Sequence, residues 1–412
     1  LALAGRFSVG VLMTVSDKSP TLYPLMLLLV VPFVATAKSP DVFWRYAFDR
    51  YGKPVLLDPL EVPEGVDPYA YLAEHMGLSR WMTRRTGKFT ILFEKAVEGM
   101  IPILCIHKIS REKRYGLTSE RFRILLQFIK NNKWYLISDK QYLEGDFSRV
   151  PTGFKPIVLG ADDAGYGIFI YQTKGDRLTG PTKRFFSKPL LARDSLVAIL
   201  ERWAPREEGR INFTFYVSFD AIPFRQLDGF KNPGFPYRGV PVVAEKIRYL
   251  DKKFILGVHS LSHIYAHSMK PEEFAEDILA AWEMLDEYAG GRAKSLYTMA
   301  FPYGIDSPSS ELREVVAALS RNGRKLLGAF DLDGKLAPPP GNPGDRFDVS
   351  RLNVDNENWE NLMHILHTAD VVHARRHIVW EVESKRIPAR RSIPNTSAED
   401  SIWVLVSAKD RS

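Results

Sequence analysis

The sequence is poor in the residues that carry covalent catalysis. Its 412 residues contain one cysteine, Cys105, which excludes an internal disulfide and a zinc site built from thiolates. Cys105 also lies within the apolar run "IPILCIH", a poor setting for an activated thiolate. There is no G-x-S-x-G elbow to present a nucleophilic serine. "RRTGKFT" holds Gly87 and Lys88 but lacks both the preceding glycine spacing and a Ser or Thr after the lysine, so it is no phosphate-binding loop. Dinucleotide fingerprints and internal repeats are missing too. No arginine-rich, aromatic-interleaved segment accompanies the formal net charge of +7, and nucleic acid is excluded as a partner. Any metal must therefore be held by His, Asp or Glu.

The apolar content of 45% is ample for a core, and the length fits one large α/β domain with extensions. Residues 21–37, "TLYPLMLLLVVPFVATA", carry an apolar stretch too short and proline-broken for a comfortable membrane span, ending in Ala35-Thr36-Ala37. That small-x-small ending reads as a signal-peptidase site ahead of Lys38, with an uncleaved anchor associating with the envelope as the competing reading of residues 1–37. Export without disulfides fits a bacterial periplasm, cell envelope or extracellular space. Residues 38–98 read as an N-terminal extension with one short helix at "DPYAYLAEHMG". Residues 371–412 read as a basic C-terminal tail.

Between them, residues 99–370 alternate strand and helix. "IPILCIH", "WYLIS", "KPIVLGADD", "INFTFYVSF", "FILGVHS", "SLYTMAFPYG", "LLGAF" and "VSRLNV" are apolar strand runs. Amphipathic stretches such as "TSERFRILLQFIKNN" and "KPEEFAEDILAAWEMLDEYAG" separate them. This order predicts parallel strands covered by helices, a distorted (β/α) barrel whose reactive groups stand at C-terminal strand ends.

Four strand ends carry chemistry. "VLGADDAGYG" runs a strand into Asp162 and Asp163, and the glycines after them let both carboxylates reach one pocket. In "GVHSLSH", His259 and His263 are four apart and share a face if a helical turn begins at the strand end. "MAFPYG" places Tyr303 in a tight turn, and His107 closes the first strand. Two histidines and a carboxylate leave zinc an open position for water, which is hydrolase chemistry.

The order "ADD", "HSLSH", "FPYG" resembles the polysaccharide deacetylases, the NodB-type carbohydrate esterases. The entry of the domain, "PILCIHKIS" followed by "SERFRILLQFIKNNKWYLIS", is similar to the branch whose last motif is permuted to the N-terminus. The resemblance implies that Asp163, His259 and His263 hold a divalent metal, zinc in that family. It implies Asp162 as general base, His107 as general acid, and the segments at Tyr166 and Tyr303 beside the substrate and oxyanion. The implied activity is removal of N-acetyl groups from a polysaccharide of N-acetylglucosamine type, releasing acetate. The same metal and base chemistry also suits another amide or an O-acetyl ester.

Two departures stand out. Gly160-Ala161 replaces the family's Thr-Phe before the acids. Ala300 occupies the position, two before Pro302, where the family carries an arginine that orients the base. Arg351 and Lys155 are the candidates to replace it. Without a replacement, the alternative is a catalytically silent carbohydrate-binding protein on the same fold.

Overall fold

Apolar runs and amphipathic stretches alternate along the middle of the chain, and each folds as its period dictates. The structure is a computed structural model and describes residues 41–48, 54–96, 98–165, 167–171, 173–174, 177–178, 191–221, 223–224, 240–304, 308–340, 346–381, 397 and 399–406. The expected export signal at residues 1–37 and Tyr166 lie outside the described residues. No helix among the described residues is long and apolar enough to cross a membrane.

Strands β1 (Val42–Phe48), β2 (Pro54–Glu61), β3 (Trp81–Thr86) and β4 (Phe89–Glu94) come first, with helix α1 (Pro68–His75) among them. The alternating region then runs β5 (Ile103–Ile106), α2 (Ser119–Asn131), β6 (Trp134–Ile137), α3 (Asp139–Glu144) and β7 (Lys155–Ala161). It continues α4 (Leu196–Trp203), β8 (Thr214–Val217), α5 (Val240–Lys253), β9 (Ile255–Val258) and α6 (Pro271–Ala289). Last come β10 (Thr298–Ala300), α7 (Ser310–Ala318), β11 (Gly328–Phe330), β12 (Leu352–Asn353) and α8 (Trp359–Thr368), followed by β13 (Arg376–Glu381) and β14 (Ser401–Val406).

Local chemistry sets these boundaries. Helix α2 starts where the Thr118 hydroxyl accepts the Arg121 N–H at 3.2 Å, and it buries Phe122, Leu125, Leu126 and Ile129 along one stripe. Helix α6 opens on Pro271 and stops at Gly290, whose φ of 95° no branched residue would adopt cheaply.

The middle strands form one sheet in the order β11-β10-β9-β8-β7-β5-β12, with β6 joined to the first half of β7. All of its pairs are parallel. A parallel bridge between Phe330 and Val349 closes the ring, with Asp331 N–H donating to the Val349 carbonyl at 2.8 Å. The expected distorted (β/α) barrel is the observed architecture. Short strands and single-bridge closure give it its distortion.

Sequence patterning gives residues 38–98 and 371–412 no common fold, yet the structure joins parts of both. They form a six-stranded sheet ordered β2-β1-β14-β13-β4-β3. One face of this sheet packs Phe43, Leu92, Val379 and Trp403 against Leu72 and Ala73 of α1. On β4, Ile91 and Phe93 join a core shared with Ile103, Ile137 and Phe330 of the barrel. Buried Arg376 locks the junction, pairing with Asp400 at 3.0 Å and donating to the Ser148 carbonyl at 2.8 Å.

Beside that pair, His377 is buried at 6% exposure, and neither ring nitrogen has a hydrogen-bond partner among the described residues. Burial, helped by Arg375 and Arg45 against Asp400, pushes its pKa down to about 4. The unfolded chain, with an ordinary value near ~6.5, therefore takes up the proton first as pH falls. Stability drops between those two values and the loss is complete below the lower one, at about 3 kcal/mol. Unfolding free energies from urea denaturation should fall between pH 7 and pH 4 by about that much more in the native chain than in His377→Phe. Parallel decline of the two proteins would contradict the assignment.

Candidate metal centre and active site

Strand β7 delivers the acid pair. The Asp162 N–H still donates to the Ile106 carbonyl at 3.0 Å, in the ladder with β5, but the chain then leaves the sheet. Asp163 and Ala164 adopt φ of 66° and 54°, a left-handed turn that reverses the alternation of side chains. As a result both carboxylates line one cavity of about 270 Å³, together with His107, His259, His263 and Tyr303. Gly167 is required by the close approach of the turn to the segment that follows β5, because a Cβ there would sit 2.4 Å from the Ile109 carbonyl oxygen.

Strand β9 delivers His259. Its ring is 2% exposed, and Nδ1 lies 3.0 Å from the Ala300 carbonyl, which fixes the proton on Nδ1 and turns Nε2 toward Asp163 Oδ1 at 3.1 Å. His263 Nε2 lies 3.0 Å from the same oxygen. The spacing of the two histidines suggests a shared helical face, but no helix forms there. Ser260 and His263 instead adopt φ of 71° and 50°, and the irregular loop brings the rings to 5.1 Å. Two side chains outside the sequence-based set hold this loop. Ser260 Oγ accepts the His263 N–H at 2.8 Å, and Asp277 on α6 accepts the Leu261 N–H at 2.8 Å and the Ser262 hydroxyl at 2.6 Å.

The ligand atoms of Asp163, His259 and His263 lie within 4.8 Å of one another. Two imidazole nitrogens converging on one carboxylate oxygen make a donor set that fits a divalent metal with nitrogen and oxygen preference. Burial pushes the Asp163 carboxyl up, but the facing imidazoles of His259 and His263 outweigh it and hold the group well below its ordinary range. For His259 burial pushes downward, yet Asp162 and Asp163 keep the imidazole above its ordinary value.

Asp162 has a different partner. Arg351, just ahead of β12, is 1% exposed and grips the carboxylate with both ends of its fork, Nη1 to Oδ1 at 2.8 Å and Nη2 to Oδ2 at 2.7 Å. Its Nε donates to the Asp331 carbonyl at 2.6 Å. Burial raises the Asp162 pKa, and Arg351 and His259 more than reverse that, so the group stays ionised. Of the two candidates for the missing arginine, Arg351 is the one in place. Lys155 begins β7, at the far end from Asp162, with its Nζ 4.3 Å from the Trp134 ring centroid. Ala300 contributes only its carbonyl, to His259.

His107 lines the cavity with its Nδ1 buried and without a hydrogen-bond partner among the described residues, and the ring of Tyr115 is 4.9 Å away. Burial lowers its pKa against the pull of Asp163 and Asp162. Tyr303, at φ 63° and 68% exposed, sets its ring at a tilt 4.6 Å from that of His263 at the cavity mouth. Cys105, His107 and Asp162 also cluster, but burial pushes the Cys105 thiol up and Asp162 is committed to Arg351, so that trio does not fit a metal. His364 and His367 are exposed on α8, away from this chemistry.

No family model and no curated protein matches this chain. Among solved structures, the chain is similar to a polysaccharide deacetylase from Bacillus cereus, at TM-score 0.45 and 11% identity over 80% of this chain and 91% of that one. The IcaB structure from Ammonifex degensii gives TM-score 0.42 and 19% identity, covering 65% of this chain and 97% of that one. A de-N-acetylase from Aggregatibacter actinomycetemcomitans gives 0.38 and 16%, covering 62% and 95%.

Proposed function

We propose that this protein is a metal-dependent hydrolase that removes N-acetyl groups from an N-acetylglucosamine-type polysaccharide and releases acetate. One observation carries the reading: two adjacent aspartates are separated in role, Asp163 facing two imidazoles and Asp162 gripped by a buried arginine. The motif order of the sequence supports the same activity.

Asp163, His259 and His263 would hold the cation, zinc by the nature of its donors, which supplies the Lewis acidity that polarises an acyl carbonyl and makes water acidic enough to attack near neutral pH. Asp162 takes the proton of the attacking water. Its ionised state suits that work, and Arg351 fixes both of its oxygens so that the receiving lone pair has one direction. His107, in the same cavity, donates a proton to the departing nitrogen. Tyr303 offers an exposed aromatic face at the mouth for a sugar ring. The apolar segment and small-x-small ending of residues 21–37 support export to the bacterial envelope or beyond, where such polymers lie.

The Arg351 geometry also weighs against a catalytically silent binding protein, because the partner that Ala300 cannot supply is present. Free acetate released from a panel of N-acetylglucosamine polymers tests the proposal, with the purified protein assayed with added zinc and after chelation. Acetate that appears with zinc and falls by about 10²-fold or more on chelation is the expected result. Zinc binding without any acetate would leave the silent reading in its place.

A further inference from the structure

Arg351 orients Asp162, and a second group orients Arg351. The guanidinium carbon lies 5.3 Å from the ring centroid of Tyr216 on β8, itself only 3% exposed. That ring has little freedom. Its hydroxyl is 3.3 Å from Asp139 Oδ2 and 3.3 Å from Thr298 Oγ1, and Thr298 in turn donates to Asp139, which is fully buried at the start of α3. Two glycines hem its sides. A Cβ on Gly257 would sit 2.3 Å from Tyr216 Cδ1, and one on Gly160 would sit 3.3 Å from Cε2. These two glycines lie beside the two site motifs, so their small size now has a physical reason: the barrel interior is filled by this tyrosine.

An aromatic face attracts a guanidinium, more strongly when both are out of water. Arg351 is held at one end by the Asp331 carbonyl and at the other by Asp162, and the Tyr216 ring is the surface it rests on. Without the ring, the guanidinium gains a space into which it can swing, and the bidentate grip on Asp162 loosens. We propose that Tyr216 is a positioning residue, whose pinned ring holds Arg351 in the geometry that aims the Asp162 carboxylate. The inference rests on the functional reading above, in which Asp162 is the base.

The test is a double-mutant cycle on acetate release. Tyr216→Leu and Tyr216→Phe are made in the native chain and in an Arg351→Gln background, with kcat, KM and bound zinc measured for each. In the native background Tyr216→Leu should lower kcat about tenfold at unchanged KM and zinc content, while Tyr216→Phe, which keeps the ring, stays within about twofold. In the Arg351→Gln background Tyr216→Leu should change kcat by less than about twofold, because the group it acts through is gone. Should Tyr216→Leu fail to fold by circular dichroism, Tyr216→Met, which also lacks the ring, takes its place with the same expected losses in the two backgrounds. Equal losses in both backgrounds, a loss of zinc in step with kcat, or a Phe variant as poor as Leu overturns the inference. Native protein that releases no acetate overturns the functional reading and this inference with it. Active native protein with an indifferent Tyr216→Leu removes the inference alone.

Discussion

Asp162→Asn lowers the rate of acetate release by about 10³-fold while bound zinc stays at the native level. The substitution preserves shape and removes the cavity carboxylate that Arg351 grips. Asp163, His259 and His263 are untouched, so the cation site keeps its donors. The amide cannot accept the proton of the attacking water, and its NH₂ group meets an Arg351 nitrogen where an oxygen stood. That leaves a buried donor unpaired at about 1–3 kcal/mol, so a moderate fall in denaturation midpoint should accompany the loss of rate. Acetate assays and metal analysis of the same preparation separate the two effects. Activity above about a tenth of native would place the base elsewhere.

Arg351→Ala has the largest combined effect on stability and turnover. It strands a fully buried carboxylate, and breaking such a pair from one side costs about 3–5 kcal/mol. The same change frees the Asp162 side chain to rotate, and misplacement by about 1 Å is enough for a 10²-fold loss of kcat. Arg351→Lys should recover only part of this. A lysine supplies a point charge where the geometry uses two parallel N–H donors. Urea denaturation and steady-state kinetics on both variants make the check. A native-like kcat in Arg351→Ala would mean that Asp162 needs no orienting partner, and the role assigned to this pair would fall.

The element pattern of the barrel was legible because it is local. The main strands and the longer helices of residues 101–370 follow from hydrophobic period and, for some helices, from caps within four residues, as at Thr118 and Ser195, whereas the six-residue helix α3 carries too short a pattern to be read. The acid pair and the two histidines were legible for a related reason: they sit where a strand ends, beside the glycines that a sharp turn or a close approach demands. The helical turn expected for "GVHSLSH" was not, because left-handed φ at Ser260 and His263 is imposed by the contacts of Ser260 and Asp277 and has no signature in spacing.

The sequence by itself determined the alternating α/β order, the strand ends that carry chemistry, and a donor set of two imidazoles and a carboxylate. Only the tertiary structure decided which cation replaces the arginine missing at Ala300. Arg351 and Asp162 are 189 residues apart, and nothing local marks one of the chain's many arginines as the one whose fork closes on that carboxylate. It likewise decided that the two ends of the described chain share a sheet. Pairing of β1 with β14 joins residues more than three hundred positions apart, and such pairs are set by which edges and apolar faces the folded barrel leaves open.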